Sequence, residues 1–350
     1  MTDLAGAPAA TAAGSTTAAG AATPSAPSAP AAVAVEPAPS VATRNAYRDR
    51  LLALMPDHHR LVCLDTDTGL FAGADFGGAE ERYVNIGIAE HQLMGVAAGM
   101  AADGWTPWTN TMAAFAASRA AEAVKIDIAY NALPVRIAAT HSGLSAGHLG
   151  PTHQALEDLA VMRALPNMTV VVPADGPAVE AAVDQSLDLP GPLYLRLGRK
   201  PTPLLPAAPE PVIGRVQPLR EGGDAVLVAC GPHPVLAALD AARALAEEGV
   251  EAAVLNMHTV KPLDVEGLLA AVSGAGLVVT VEEHWRTGGL GAAVTEALAE
   301  HRPTPVVRLG MPDTFASTVG DHGGLLAHYG VTGEAVADAV RERLTGRPRG

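Results

Sequence analysis

Glu90, His141, His148, His153, Arg44 and Arg199 are the side chains of this sequence best placed to do chemistry. Glu90 stands in Tyr-Val-Asn-Ile-Gly-Ile-Ala-Glu-His-Gln-Leu-Met-Gly-Val-Ala-Ala-Gly-Met-Ala-Ala, residues 83–102, where a short apolar run passes through Gly87 into a small-residue helix. A carboxyl group at such a joint can exchange a proton with a bound group. It can also do no more than complement the positive end of the helix dipole. The histidines belong to Thr-His-Ser-Gly-Leu-Ser-Ala-Gly-His-Leu-Gly-Pro-Thr-His-Gln, residues 140–154. An imidazole that follows a strand and opens a Gly-rich loop serves structure as readily as chemistry. Arg44, in Ala-Thr-Arg, and Arg199, in Leu-Gly-Arg, offer planar forks that suit a phosphate, although many arginines are simply solvated. Phe115 can stack on a bound ring or fill the core. Met112, three residues before it, is an adaptable filler.

These side chains need a scaffold, and the hydrophobic pattern supplies one. Residues 44–55 read as a helix, 60–64 as a buried strand, and 106–109, 135–140, 168–172 and 194–197 as further strands. Helices are expected over 116–130 and 154–165, and from Asp175, an N-cap residue, to Leu187. The helix that begins at Glu90 should end near Asp103-Gly104. Strands alternating with helices predict a doubly wound, parallel α/β domain over 43–198. A Pro-rich linker, 199–218, separates it from a second α/β domain over 219–350. The second unit has strands near 225–229, 252–256, 277–282 and 306–309, and helices near 234–248, 290–301 and 332–343.

The two motifs together resemble the pyrimidine-binding domain of transketolase-like enzymes, which use thiamine diphosphate. Val-Glu-Glu-His-Trp-Arg-Thr-Gly-Gly-Leu-Gly, residues 281–291, resembles the family's C-terminal domain, a packing and dimerisation module. The resemblance implies that Glu90 hydrogen-bonds N1′ of the cofactor's aminopyrimidine and acts as its acid/base. A glutamine could make that bond but could not exchange the proton. It implies that Phe115, with Met112 beside it, packs on the aminopyrimidine, and that His153 lies near the reacting hydroxyl groups as a catalytic side chain. Arg44, Arg199 and His141 match positions that hold the phosphorylated end of a ketose donor.

Two departures from the family bear on partner and substrate. No Gly-Asp-Gly segment for a Mg²⁺-bound diphosphate is found; Val-Gly-Asp-His-Gly-Gly, residues 319–324, comes nearest but lies in the second domain. The expectation is therefore a split enzyme, inactive alone, in which this chain holds no metal and an N-terminal diphosphate-binding subunit binds most of the Mg²⁺. Two copies of each half would form a heterotetramer. Where the family reads Gly-Glu-Asp-Gly, this chain reads Gly147-His148-Leu149-Gly150, so a carboxylate that reads sugar stereochemistry is lost; Phe71 falls near a phosphate-assisting serine. The leading expectation is transfer of a two-carbon ketol unit to an acceptor that is carrier-bound, deoxy or branched. A β subunit of a 2-oxo-acid dehydrogenase, a deoxyxylulose-phosphate-synthase-like subunit, or a non-catalytic scaffold are the alternatives.

The composition sets the remaining bounds. A net charge of −14 without a basic patch disfavours nucleic acid and anionic membrane as main partners. Cys63 and Cys230 sit far apart in apolar runs and should be buried thiols. Residues 1–42, rich in Ala, Pro, Ser and Thr, bury too little to offset chain entropy and should be a disordered tail. No run is long enough for a transmembrane helix and the N-terminus lacks a secretory pattern, so a cytoplasmic location is expected.

Overall fold

The computed structural model describes residues 39–205 and 209–345. Residues 1–38 of the expected tail lie outside the described residues. Two parallel-type sheets organise the rest. The first has seven strands in the order Thr259–Lys261, Thr169–Val171, Leu193–Arg196, Arg136–Thr140, Thr106–Met112, Leu61–Asp65 and Tyr83–Asn85. Its strands pair in parallel except Thr259–Lys261, which runs antiparallel to Thr169–Val171. The second orders Val306–Met311, Val278–Trp285, Ala225–Ala229, Ala252–Asn256 and Gln217–Arg220, with only the last antiparallel.

Helices cover both faces of each sheet, which is why the central strands are apolar without alternation. Leu61–Asp65, Arg136–Thr140, Ala225–Ala229 and Ala252–Asn256 are buried at every position. Helix Glu90–Ala102 sinks Leu93, Met94, Ala97, Ala98 and Ala101. Asp175 caps Gly176–Ser186 as its residue type suggests, its side chain accepting from the Ala178 N–H at 3.0 Å.

Five stretches differ from the sequence expectations, most of them where a tertiary contact overrides a local pattern. Ser40–Ala42, expected as tail, and Pro201–Pro203, expected as linker, pair with each other as antiparallel strands. Thr259–Lys261, with no period of its own, leaves the second domain to edge the first sheet. The single helix expected over 116–130 is instead Ala113–Ala116, a loose turn, Ala121–Ala123 and a π-helix at Val124–Ala129. In the turn the Ala120 N–H reaches back five residues to the Phe115 carbonyl at 3.1 Å. Such widened turns interrupt helices mostly where function asks for it. The helix expected from 154 begins only at Asp158, because Ala155 is drawn into bridges with Ser142 and Gly143.

Candidate active site

The carboxyl ends of the first sheet's strands carry the predicted site, as open α/β sheets favour. After Tyr83–Asn85 the chain turns at Gly87, whose φ of 76° suits glycine; the Asn85 side chain accepts the Gly87 N–H at 2.8 Å. This turn delivers Glu90 into the first turn of its helix, 5% exposed. Among the described residues its carboxylate accepts no hydrogen bond. Its one ion-pair partner there is Arg119, with Nη1 at 3.7 Å. A buried carboxylate in that state calls for a donor. The chain therefore fits a ligand that brings an N–H to Glu90.

Phe115, in the short helix Ala113–Ala116, is joined to Glu90 through the same arginine. The Arg119 guanidinium lies 4.6 Å from its ring centroid, and the His153 ring meets it edge-on at 5.3 Å. Thr152 Oγ1 sits 2.8 Å from His153 Nδ1. Met112 ends strand Thr106–Met112, half-buried. Glu90 and Phe115 thus meet through Arg119, a residue that sequence reasoning passed over, and His153 joins them through the Phe115 ring. The available signal was its spacing, four residues after Phe115, which sets a cation beside a ring on one helical face.

A second cluster gathers at the ends of the next strands. His141 follows Arg136–Thr140 with a left-handed φ of 57°, uncommon for a non-glycine residue and a mark of local constraint. Its Nδ1 lies 2.9 Å from Thr140 Oγ1, and its Nε2 3.5 Å from Arg44 Nη1. Because arginine can only donate, Nε2 accepts and Nδ1–H donates to the threonine. Burial, then Arg44, Arg199 and His153, push the His141 pKa down to about 4, so the ring is neutral near pH 7. Burial and the charges of Arg199 and Arg48 also lower the Arg44 pKa. Among the described residues neither Arg44 nor Arg199 has a carboxylate partner within salt-bridge distance, and Arg44 Nε is buried without an acceptor. Two uncompensated guanidinium groups beside a neutral imidazole are ready for an anion.

His148 and Leu149 lie on a short 3₁₀ turn, Gly147–Leu149, both exposed, Leu149 by 40%. The turn presses on the second domain: a Cβ on Gly147 would meet the Gly320 carbonyl at 2.6 Å. They therefore sit on the rim rather than among the clustered groups. Phe71 packs with Tyr47, Phe76 and Tyr83 in an aromatic core. In the nearest sequence to Gly-Asp-Gly, Asp321 caps helix His322–His328 by accepting the Gly324 N–H at 2.9 Å.

The loop holding His148 and His153 rests on a buried base. Arg196 donates to Asp158 at 2.7 and 2.9 Å, to the Ala155 carbonyl at 2.9 Å and to the Glu283 carbonyl at 3.0 Å. Glu283 accepts the Leu144 N–H at 2.6 Å and lies 2.7 Å from His322 Nε2. The second domain therefore braces the loop from below through Glu283, part of the 281–291 segment, and His322.

Residues 39–203 match the family described as transketolase, pyrimidine binding domain, and residues 214–336 that described as transketolase, C-terminal domain. A subunit of the 6-deoxy-6-sulfo-D-fructose transketolase of Clostridium sp. strain MSTE9 is 38% identical over 85% of this chain and 93% of its own length. An apulose-4-phosphate transketolase subunit of Phocaeicola vulgatus is 37% identical over 86% of this chain and 97% of its own length. A solved split-gene transketolase, described as an inactive β4 tetramer, superposes with a TM-score of 0.80 at 44% identity, over 87% of this chain and 99% of that one. The 1-deoxy-D-xylulose-5-phosphate synthase of Gloeobacter violaceus matches over only half its length, at 35% identity. From the joint of Gly87 and Glu90 to the braced histidine loop, the chain belongs to the transketolase family and carries its pyrimidine-binding and C-terminal domains.

Proposed function

We propose that this chain is the C-terminal subunit of a split, thiamine diphosphate-dependent transketolase that passes a two-carbon ketol unit from a phosphorylated ketose to a modified sugar or carrier-bound acceptor. The observation that carries the reading is the buried Glu90 carboxylate beside Phe115, lacking a hydrogen-bond donor among the described residues. When bound, the cofactor supplies the nucleophilic carbon that takes up and releases the ketol unit. Glu90 holds and returns a proton at a ring nitrogen of the cofactor. Phe115 and Met112 shape the apolar wall against which that ring packs. His153, at the edge of Phe115, faces the hydroxyl groups of the substrate. Arg44 and Arg199 grip the anionic end, and neutral His141 adds an uncharged hydrogen bond to it.

Leu149 replaces a hydroxyl-reading carboxylate with an apolar, half-open side chain. Relatives named for sulfonated deoxy sugar and for apulose phosphate support an acceptor or donor outside the ordinary pentose phosphates. The diphosphate and its Mg²⁺ fall to a partner subunit, two copies of each half forming the assembly. The neighbour described as an inactive β4 tetramer supports dependence on that partner. The test is reconstitution with the diphosphate-binding subunit and measurement of C2 proton exchange on the cofactor. Glu90→Gln should slow exchange about 10²–10⁴-fold while assembly persists. Exchange at the wild-type rate would leave Glu90 as a dipole-matching helix residue and remove the reading.

A further inference from the structure

Glu90 and Phe115 share one partner. Arg119 sets Nη1 3.7 Å from the Glu90 carboxylate and its guanidinium 4.6 Å from the centre of the Phe115 ring. A guanidinium is flat, cationic and lined with N–H donors, so it can stand beside a carboxylate and an aromatic face at once. An aminopyrimidine offers the same combination of a flat face and edge N–H groups. The same place suits both.

We infer that Arg119 is a stand-in for the cofactor's ring: it covers Glu90 and Phe115 while the site is empty and withdraws when the ring enters. This rests on the reading of Glu90 and Phe115 given above. Withdrawal is required by chemistry as well as by space. Arginine does not give up its proton in a protein, so a Glu90 held by Arg119 has no neighbour with which to exchange one. The structure also makes withdrawal easy. Arg119 lies in the loose turn between Ala113–Ala116 and Ala121–Ala123 rather than within a regular helix. That turn is held by Ser118 Oγ donating to the Ala114 carbonyl at 2.5 Å and by the widened Ala120-to-Phe115 bond, neither of which uses the Arg119 side chain. The side chain is 58% exposed, so it can turn into solvent at little cost to itself, leaving Glu90 to the entering ring. Glu90, at 6%, cannot move out to meet a ligand elsewhere.

The experiment uses the reconstituted two-subunit complex and titrates it with thiamine diphosphate in Mg²⁺ buffer by calorimetry. Arg119→Gln removes the charge and keeps the length; the exposed position spares the fold. Its Kd should fall about three- to tenfold, the scale of one exposed ion pair plus one cation–ring contact no longer to be displaced. Arg119→Lys keeps the charge and should stay closer to the wild type than Arg119→Gln does. In a Glu90→Gln background the gain from Arg119→Gln should shrink, because half of what Arg119 covers is gone. A Kd that rises or stays unchanged in Arg119→Gln, while Glu90→Gln still slows cofactor proton exchange, overturns the stand-in and leaves the Glu90 reading intact. A Glu90→Gln complex with wild-type proton exchange removes that reading itself, whatever Arg119 does.

Discussion

Asp158→Asn is the substitution that most directly tests how the histidine loop is held. Asp158 is fully buried and Arg196 is 4% exposed at the side chain, with their closest contact at 2.7 Å. Asparagine keeps the shape and can still accept the Tyr194 hydroxyl, now 2.8 Å from the carboxylate. What it removes is the charge, leaving the Arg196 guanidinium uncompensated in the core. Removing one partner of a buried ion pair costs about 3–5 kcal/mol. At roughly 2–4 °C per kcal/mol for a chain of a few hundred residues, Tm should fall by about 6–20 °C. Thermal unfolding followed by circular dichroism, with urea denaturation beside it, reads the loss. The paired replacement of Asp158 by Leu and Arg196 by Met should lose less than Asp158→Asn, since no charge is then stranded. A melting curve for Asp158→Asn that overlays the wild type would refute the claim that this pair supports the loop.

Three further outcomes follow from the same geometry. His141 has a folded-state pKa of about 4, below its ordinary 6.5, so the unfolded chain binds more protons between those values. Its contribution makes stability rise with pH across that window and flatten below it; imidazole resonances showing His141 titrating near 6.5 in the folded chain would contradict this. Leu149→Asp restores a hydroxyl-reading carboxylate and should raise kcat/KM for ribose 5-phosphate as acceptor about 10–150-fold, the worth of one charge-assisted hydrogen bond. A wild type already efficient with that acceptor, and a variant without gain, would count against an altered substrate. Gly143→Ala would drive a methyl into Glu283 Oε1 at a φ of 58°, pushing Glu283 off the Leu144 N–H. The loss should be on the order of 1–3 kcal/mol for the unmade buried bond, read as a lowered urea midpoint, and an unchanged midpoint would show the loop yielding freely.

The sequence disclosed most about the parts whose residue types are dictated locally. Buried central strands such as Leu61–Asp65 and Ala225–Ala229 announce themselves as apolar runs, and Asp175 announces a helix start. Glu90, His141 and His153 stood out because their motifs resemble a family, and the fold brings His153 against Phe115 and His141 against Arg44. What stayed hidden depends on partners distant along the chain. Pro201–Pro203 is a strand only because Ser40–Ala42 lies beside it. The alanine-rich stretch after Phe115 has high helix propensity throughout, so nothing local marks the widened turn that displays Arg119. Arg196 carries no motif, and the 281–291 motif does not say what Glu283 touches; the two meet through a carbonyl 87 residues apart.

Thr259–Lys261 has a consequence for how such a chain can be divided. The family matches suggest a seam between residues 203 and 214, as if the halves were separate tiles. Yet the far side of that seam supplies the outermost strand of the first sheet, and Lys261 Nζ donates to the Arg163 carbonyl at 2.9 Å. Severing the chain at the seam would strip that border and leave Thr169–Val171, an apolar strand, with a row of bare amide and carbonyl groups. Such a rim invites pairing with whatever strand passes. The two domains are thus stitched rather than hinged, and a gene cut here would give fragments that clump, whereas a cut ahead of Ser40 crosses no strand pairing of either sheet among the described residues.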